Sequence, residues 1–513
     1  MRSAGRVRHG AQGDAPVTTT DPTNSLAAQG QRHAAAWLAA RPAPAGAGRQ
    51  VLDPACAQPL GWVAFDDSHA VDQTVAKARA AFENPAWRKM ARRDRGRMMA
   101  RIAQVIDANR VELAALQSLE NGKLFSESLA DDLPDTAEVF NYYAGWVDKI
   151  HGDTNPMDGS LLNLTVREPV GVCALVVPWN FPLLLAAWKL APALAMGNTV
   201  VLKPSEFTPL ATLRMIELIT ETADLPAGVL HAVVGDGTTG QSLVSHPGIN
   251  KVSFTGSTAV GRQILGAVAA TNLATVTLEL GGNAPNIVFG DVRDIDAVID
   301  RHASVLFAQK GEKCTEPARL IVERSVHERA VERLVAHAAT LRCGSQFDPD
   351  ATQGAQCTEA QFARIQRLTD AGIEAGASLA FGGGPDSLAA TTGGWFLRAT
   401  VLDHVTADNP INAEEVFGPV AKVSVFDTED EAVALANSTP FGLAAGVNSG
   451  DLARARRLAS RLDAGQVFVN RYGCYDFAAP FGGFKASGWG KEMGRDSLAA
   501  YTRTKSVWIE TEP

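Results

Sequence analysis

The chain has 513 residues, a formal net charge of -9, 46% hydrophobic residues and 20% charged ones. That is material for two or three cored domains at roughly 100–200 residues each. The acidic balance argues against a nucleic-acid binder, which needs a basic face.

Residues 1 to 48 are rich in Ala, Gly, Pro and Thr and read as a largely disordered extension, with only HAAAWLAA offering a short helical pattern. The extreme N-terminus lacks an apolar core segment, so no secretory signal is expected. Two short strands around a turn are expected in Val51–Asp66. From His69 to Gln117, Val71, Val75, Ala78 and Phe82, then Met98, Ile102, Val105 and Ile106, recur at helical spacing. A further helix is expected beyond Ala137, ending near Trp146, and a hairpin of polar strands over His151–Pro169 with its turn at Asp158-Gly159.

From Val170 to about Phe289, β runs (GVCALVV, NTVVLK, GVLHAVVG, KVSFTG, ATVTLELGG) alternate with helical patterns, and a second such series runs from Asn286 to Val469 (ARLIVE, GWFLRATVL, AKVSVF, GQVFVN). Alternation of this kind predicts two α/β halves, each a parallel sheet covered by helices. The most apolar stretch, Val170 to Leu202, is broken by Pro178, Asn180, Pro182, Lys189 and Pro192. Nothing reaches the ~18–20 residues that cross a bilayer.

Six cysteines (Cys56, Cys173, Cys314, Cys343, Cys357 and Cys474) include no CxxC pair, and ten histidines form no HExxH. Reduced thiols, a cytoplasmic location and no metal are the expectation. Cys314 differs from the others by context, lying in a glycine-containing turn, GEKC, between a helical stretch and the strand ARLIVE. A thiol there is a candidate nucleophile, although a lone cysteine is commonly a small buried hydrophobe. Glu279 ends an apolar run just before Gly281-Gly282. Desolvation would raise its pKa and suit it to general base work, whereas a strand-end glutamate can equally reach solvent. Asn180, in PWNFP, offers an amide to a developing oxyanion. Lys203 and Glu206 follow a strand at its carboxyl end, where open α/β sheets bind ligands. FTGSTAVG reads as strand, turn and helix start, a common arrangement able to hold phosphate. The literal GxGxxG in Gly235–Gly240 is a weak signal by itself.

Together PWNFP (178–182), LKPSE (202–206), FTGSTAVG (254–261), LELGG (278–282), GEKC with Arg319, EEVFGPV (414–420) and PFGGFKASG (480–488) resemble the aldehyde dehydrogenase superfamily, over roughly residues 50 to 510. The resemblance implies an α/β fold with a Rossmann-like cofactor domain (49–151 and 171–280), an α/β catalytic domain (281–483) and oligomerisation strands (152–170 and 500–511). It implies NAD-dependent oxidation of an aldehyde to its acid through a thiohemiacetal and thioester on Cys314. Glu279 would be the base for hydrolysis, and Asn180 the oxyanion donor beside the Cys314 backbone amide. Cofactor contacts would come from Val177, Trp179, Lys203, Glu206, Gly237, Gly256, Ser257, Glu415 and Phe417. GDGTTG would then be a decoy for the phosphates. NAD would be preferred to NADP because Glu206 would repel a 2′-phosphate.

Positions matching the family's substrate tunnel are Phe181, Leu185, Trp188, Lys313, Thr315, Arg471, Tyr475 and Phe481. Mostly aromatic or apolar, they imply broad use of uncharged aldehydes. Lys313 and Arg471 would instead favour an acidic semialdehyde if they faced the tunnel. A cationic aminoaldehyde ranks lowest on this reading, for want of an acidic cage. Expected partners are a small aldehyde and further copies of the chain in a dimer or tetramer, with neither nucleic acid nor membrane. Two competing readings are a CoA-acylating semialdehyde dehydrogenase, which would need no base such as Glu279, and a non-enzymatic family member.

Overall fold

The computed structural model describes residues 25–41 and 46–512. Within the stretch expected to be disordered, Leu26–Ala40 is a helix. Its start is capped by Ser25, whose hydroxyl accepts from Ala28 N at 3.1 Å. It contains the helical pattern HAAAWLAA, whose alanines give little amphipathic contrast, and tertiary contacts hold it. Trp37 Nε1 donates to Glu217 at 2.8 Å, Ala34 is buried, and a Cβ on Gly30 would lie 2.8 Å from the Val111 carbonyl. The remainder of that expectation, residues 1–24 and 42–45, lies outside the described residues. The strands Gly48–Asp53 and Gln58–Ala64 then pair antiparallel.

Four helices follow, Ser68–Glu83, Pro85–Arg88, Arg92–Ala108 and Arg110–Asn121. The next helix begins earlier than its apolar pattern indicates. A short turn Phe125–Glu127 and one π turn Ser128–Asp132 run directly into Leu133–Ala144, with Pro134 in its first turn.

Two largely parallel sheets make up the body. One has six strands in the order Gly488–Trp489, Thr275–Glu279, Lys251–Thr255, Val172–Val176, Thr199–Lys203, Leu230–Ala232. All are parallel except the first. Their uninterrupted apolar runs reflect burial on both faces. The chain starts at Val172–Val176, moves outward to one side and returns to the other at Lys251–Thr255. The crevice between these two strands is the switch point where such sheets bind ligands. The second sheet has seven strands in the order Ser378–Phe381, Thr400–Asp403, Val420–Phe426, Arg319–Glu323, Pro285–Val288, Ala444–Asn448, Gln466–Val469. Only Ser378–Phe381 runs antiparallel to its neighbour. A third, antiparallel sheet joins Thr154–Asn155, Leu161–Pro169 and Thr502–Glu510, with Thr502 opposite Pro169 and Glu510 opposite Leu161.

Helix Pro182–Ala195 is buried along its whole length between the first sheet and the helical layer. This burial fixes the PWNFP loop that precedes it. Among the described residues no helix is long and apolar enough to cross a membrane.

Candidate active site

The backbone before Cys314 is unusual. Gln309, Lys310 and Gly311 are consecutively left-handed, with φ of 59°, 60° and 71°. For the two non-glycine residues this costs on the order of 1–3 kcal/mol each, so surrounding contacts must impose it. Gln309 Nε2 donates to the Asn180 carbonyl at 3.0 Å and its backbone N to Glu127 at 3.0 Å. Lys310 Nζ donates to the Asn121 carbonyl at 2.7 Å and meets Glu312 at 2.8 Å. At Gly311 a Cβ would come within 2.2 Å of the Gly418 carbonyl carbon, so glycine is required. The turn thereby delivers a half-buried Cys314 to the junction of two cavities.

One cavity, of about 450 Å³, runs from Cys314 past Phe181, Leu185, Trp188 and Phe481 to Tyr475. The other, of about 230 Å³, is lined by Trp179, Asn180, Gly256, Ser257, Glu415 and Phe417 among others. Thr255, Leu185 and Cys314 belong to both.

Asn180 is buried, and its Nδ2 donates to the Glu312 carbonyl at 2.9 Å. That bond fixes the amide and leaves its second N–H, the one an incoming oxygen would use. Glu279 closes the strand Thr275–Glu279 and is also buried, with Oε2 lacking any hydrogen-bond partner. Burial first, and then the charge of Glu492, raise its pKa well above the usual carboxylate range. The Cys314 thiol is pushed up in turn by burial and by Glu279 and Glu415. Behind Glu279, Glu492 pairs with the fully buried Lys189 and accepts from Ser253 Oγ at 3.1 Å.

The smaller cavity has the features of a nucleotide cleft. Trp179 and Phe417 meet edge to face at 5.3 Å. Glu415, its pKa raised by burial to about 7, accepts from Gly282 N at 2.7 Å. The left-handed Phe417 is held by Gln361, which donates to its carbonyl at 2.7 Å. Ser257 caps helix Thr258–Ala270, whose first N–H groups face the crevice end of the sheet. At Gly281 a Cβ would sit 2.3 Å from Glu415, so the absence of a side chain keeps the cleft floor open. Lys203 lies 3.9 Å from Glu206 at the end of its strand, and Val177 N donates to the Lys203 carbonyl at 3.1 Å. Val177, Lys203, Glu206 and Gly237 lie outside the lining of this cavity. Gly237 is exposed and opens helix Gly237–Val244, where Asp236 takes the Thr238 N–H at 2.8 Å. The helix start in GDGTTG is thus already capped by a carboxylate.

Of the expected tunnel positions, Phe181, Leu185, Trp188, Lys313, Thr315, Tyr475 and Phe481 line the larger cavity. Arg471 does not; it is exposed in the loop outside. Lys313 does line it, but donates to the Val305 carbonyl, and burial lowers its pKa to about 8. The expectation that no acidic cage exists is overturned. Glu127, Asp131, Asp132 and Asp135 all line the cavity. The segment carrying them shows no tunnel-like pattern in sequence, because acidic residues on a helix are ordinarily a solvated face. Glu492, in a loop bridged to Phe481, was missed because a lone acid in a glycine-rich loop also reads as surface.

The model of the aldehyde dehydrogenase family matches residues 43–507. Human retinal dehydrogenase 2 is 42% identical over 462 residues, covering 90% of this chain and 88% of its own. Human mitochondrial aldehyde dehydrogenase is 43% identical over 461 residues, with the same two coverages. Among solved structures, a mutant of the P. syringae indole-3-acetaldehyde dehydrogenase in complex with NAD+ superposes with a TM-score of 0.89 at 40% identity, covering 92% of this chain and 94% of that one. Built around a half-buried thiol and a buried carboxyl and amide where two cavities meet, the chain belongs to the aldehyde dehydrogenase family.

Proposed function

We infer that the protein is an NAD-dependent aldehyde dehydrogenase in which Cys314 is the nucleophile, Glu279 the general base and Asn180 the oxyanion donor. The carrying observation is that Cys314 stands where the apolar cavity meets the nucleotide-type cleft, with Glu279 on the cavity wall. Glu279, on the wall of the same cavity, would take the thiol proton and release it to solvent before it acts again as base. Sγ then adds to the aldehyde carbon, and the oxygen of the thiohemiacetal is held by the free Asn180 N–H and the Cys314 backbone amide. NAD+ supplies a two-electron acceptor. Oxidation at this centre leaves an acyl thioester on Sγ, and Glu279 removes a proton from the water that hydrolyses it.

The residues suit that cofactor. Glu415 and Phe417 would hold the nicotinamide half and Ser257 and Gly256 the pyrophosphate, with Trp179 shaping the wall, while Lys203 and Glu206 would hold the adenosine ribose, Val177 being bonded to the Lys203 carbonyl. The exposed Gly237 would contribute only at the adenine edge. Residues 49–151 and 171–280 would form the cofactor domain, 281–483 the catalytic domain, and 152–170 with 500–511 the strands that join subunits. A buried base within the reaction cavity favours hydrolysis over transfer to CoA. Six cysteines with no disulfide between them suit a reducing cytoplasm.

Purified protein should form NADH from NAD+ and an aldehyde, and Cys314→Ala should bind the cofactor but form none. Turnover by that variant would reject the mechanism.

A further inference from the structure

The larger cavity has an acidic wall that the aldehyde chemistry leaves unused. It is built from one helical run, Phe125–Glu127, Ser128–Asp132 and Leu133–Ala144. Glu127, Asp131 and Asp135 recur at four-residue spacing along this run and all line the cavity. Two of the four acids are already satisfied. Asp132 pairs with the buried Lys123 and accepts from Gln117 at 2.7 Å. Glu127 accepts from the backbone N of Gln309 at 3.0 Å and of Leu124 at 3.3 Å.

Asp131 and Asp135 are different. Asp131 is exposed at the cavity and has no hydrogen bond or ion pair among the described residues. Asp135 accepts only from Tyr475 Oη, at 2.5 Å. Burial and neighbouring carboxylates push both carboxyls up, and the cation that opposes this at Asp131, Lys123, is itself paired with Asp132. The same cavity presents aromatic rings, with Trp188 6.4 Å from Tyr475 and 5.0 Å from Phe481. Carboxylates beside aromatic faces form a receptor for an ammonium group. Among the described residues the one cation lining the cavity, Lys313, is adjacent to Cys314 in sequence and would repel positive charge close to the reacting carbonyl.

We propose that the preferred substrate is an aldehyde bearing an ammonium or substituted ammonium group several atoms from the carbonyl, held by Asp131, Asp135 and the rings of Trp188 and Tyr475. This rests on Cys314 being the nucleophile in that cavity.

The test compares kcat/KM, read as NADH formation by the full-length protein, for isosteric pairs. These are 3-aminopropanal against butanal, and 4-(trimethylammonio)butanal against 5,5-dimethylhexanal. At least one cationic member should exceed its neutral isostere tenfold or more, chiefly through KM, with the advantage shrinking as salt is raised. Asp131→Asn and the double variant with Asp135→Asn should each lower that ratio, the double at least fivefold, while each neutral isostere serves as the internal control for folding. Parity or neutral preference in the parent would overturn the proposal, as would a cationic preference that survives the double variant. Oxidation of the neutral aldehydes alone leaves the aldehyde dehydrogenase reading standing. Failure to oxidise any of the four would overturn both.

Discussion

Burial holds the Cys314 thiol and the Glu279 carboxyl in their neutral forms, yet the chemistry uses a thiolate and then a carboxylate. Both groups must therefore titrate above their ordinary ranges. Glu279 serves as a base only when deprotonated, so its raised pKa means that activity is lost as pH falls through that raised value. The thioester-hydrolysis rate should accordingly rise with pH on a limb lying above the usual carboxylate range. Glu279→Gln should flatten the limb and slow deacylation at least a hundredfold. A burst of NADH and a thioester on Cys314, visible as an added acyl mass, should then appear. Parent-like steady turnover by this variant would assign the base elsewhere. At the end of strand Thr199–Lys203, Glu206 sits 3.9 Å from a Lys203 amine whose pKa burial lowers. A 2′-phosphate there would meet a carboxylate only partly countered, at a cost on the order of 1–3 kcal/mol. NAD should exceed NADP in kcat/KM, and Glu206→Gln should narrow the gap; a parent preference for NADP would reject this role.

Single elements carry the site because distant segments are stitched to them by buried polar pairs. Helix Pro182–Ala195 begins just after Asn180 and carries Lys189, which reaches Glu492 from a segment some three hundred positions later. Breaking a buried pair leaves an uncompensated charge, typically at 3–5 kcal/mol. Glu492→Gln should lower the denaturation midpoint by several degrees, and calorimetry showing no change would refute the stitching. The same geometry explains what was readable beforehand. PWNFP, FTGSTAVG, LELGG and GEKC are local: each contains its own turn, cap or nucleophile, and each loop sits at a strand end or helix start, so the alternating β and α runs already located it. Glu127, Asp131, Asp135 and Glu492 are not local. Their helices or loops look like ordinary surface in sequence, and only the packing of Leu133–Ala144 on Pro182–Ala195 turns the acidic face toward the cavity. Arg471 shows the converse: it matches a tunnel position in sequence, yet two residues past the Val469 strand end it stays outside, as a solvent-facing arginine would. Helix Leu26–Ala40 was legible only in its second half, HAAAWLAA, because its alanines carry little amphipathic contrast.

At the scale of the whole molecule, the three-stranded sheet has no core of its own. Residues directly opposite each other share a face. Trp508, opposite Asn163, therefore lies on the face of Leu161, while Ile509, opposite Leu162, lies on the face of Val166. All four are exposed, Trp508 at 60% and Leu161 at 43% on the first face, Ile509 at 40% and Val166 at 38% on the second. An antiparallel sheet ordinarily keeps one face on a core; this one offers apolar surface on both, and its Thr502–Glu510 strand is also an unpaired edge. A lone chain would present a template for uncontrolled pairing. Further copies of the chain cover such surfaces with closed symmetry. We therefore expect a homodimer or tetramer whose interface includes this sheet and exceeds roughly 1,000 Å². Light scattering at micromolar concentration should give twice or four times the chain mass. Trp508→Arg combined with Ile509→Arg would place a charge on each face, and should shift the population toward monomer while leaving the far-ultraviolet dichroism of the two large sheets in place. A parent that runs as a stable monomer would refute the assembly, and an oligomer indifferent to both arginines would move the interface away from this sheet.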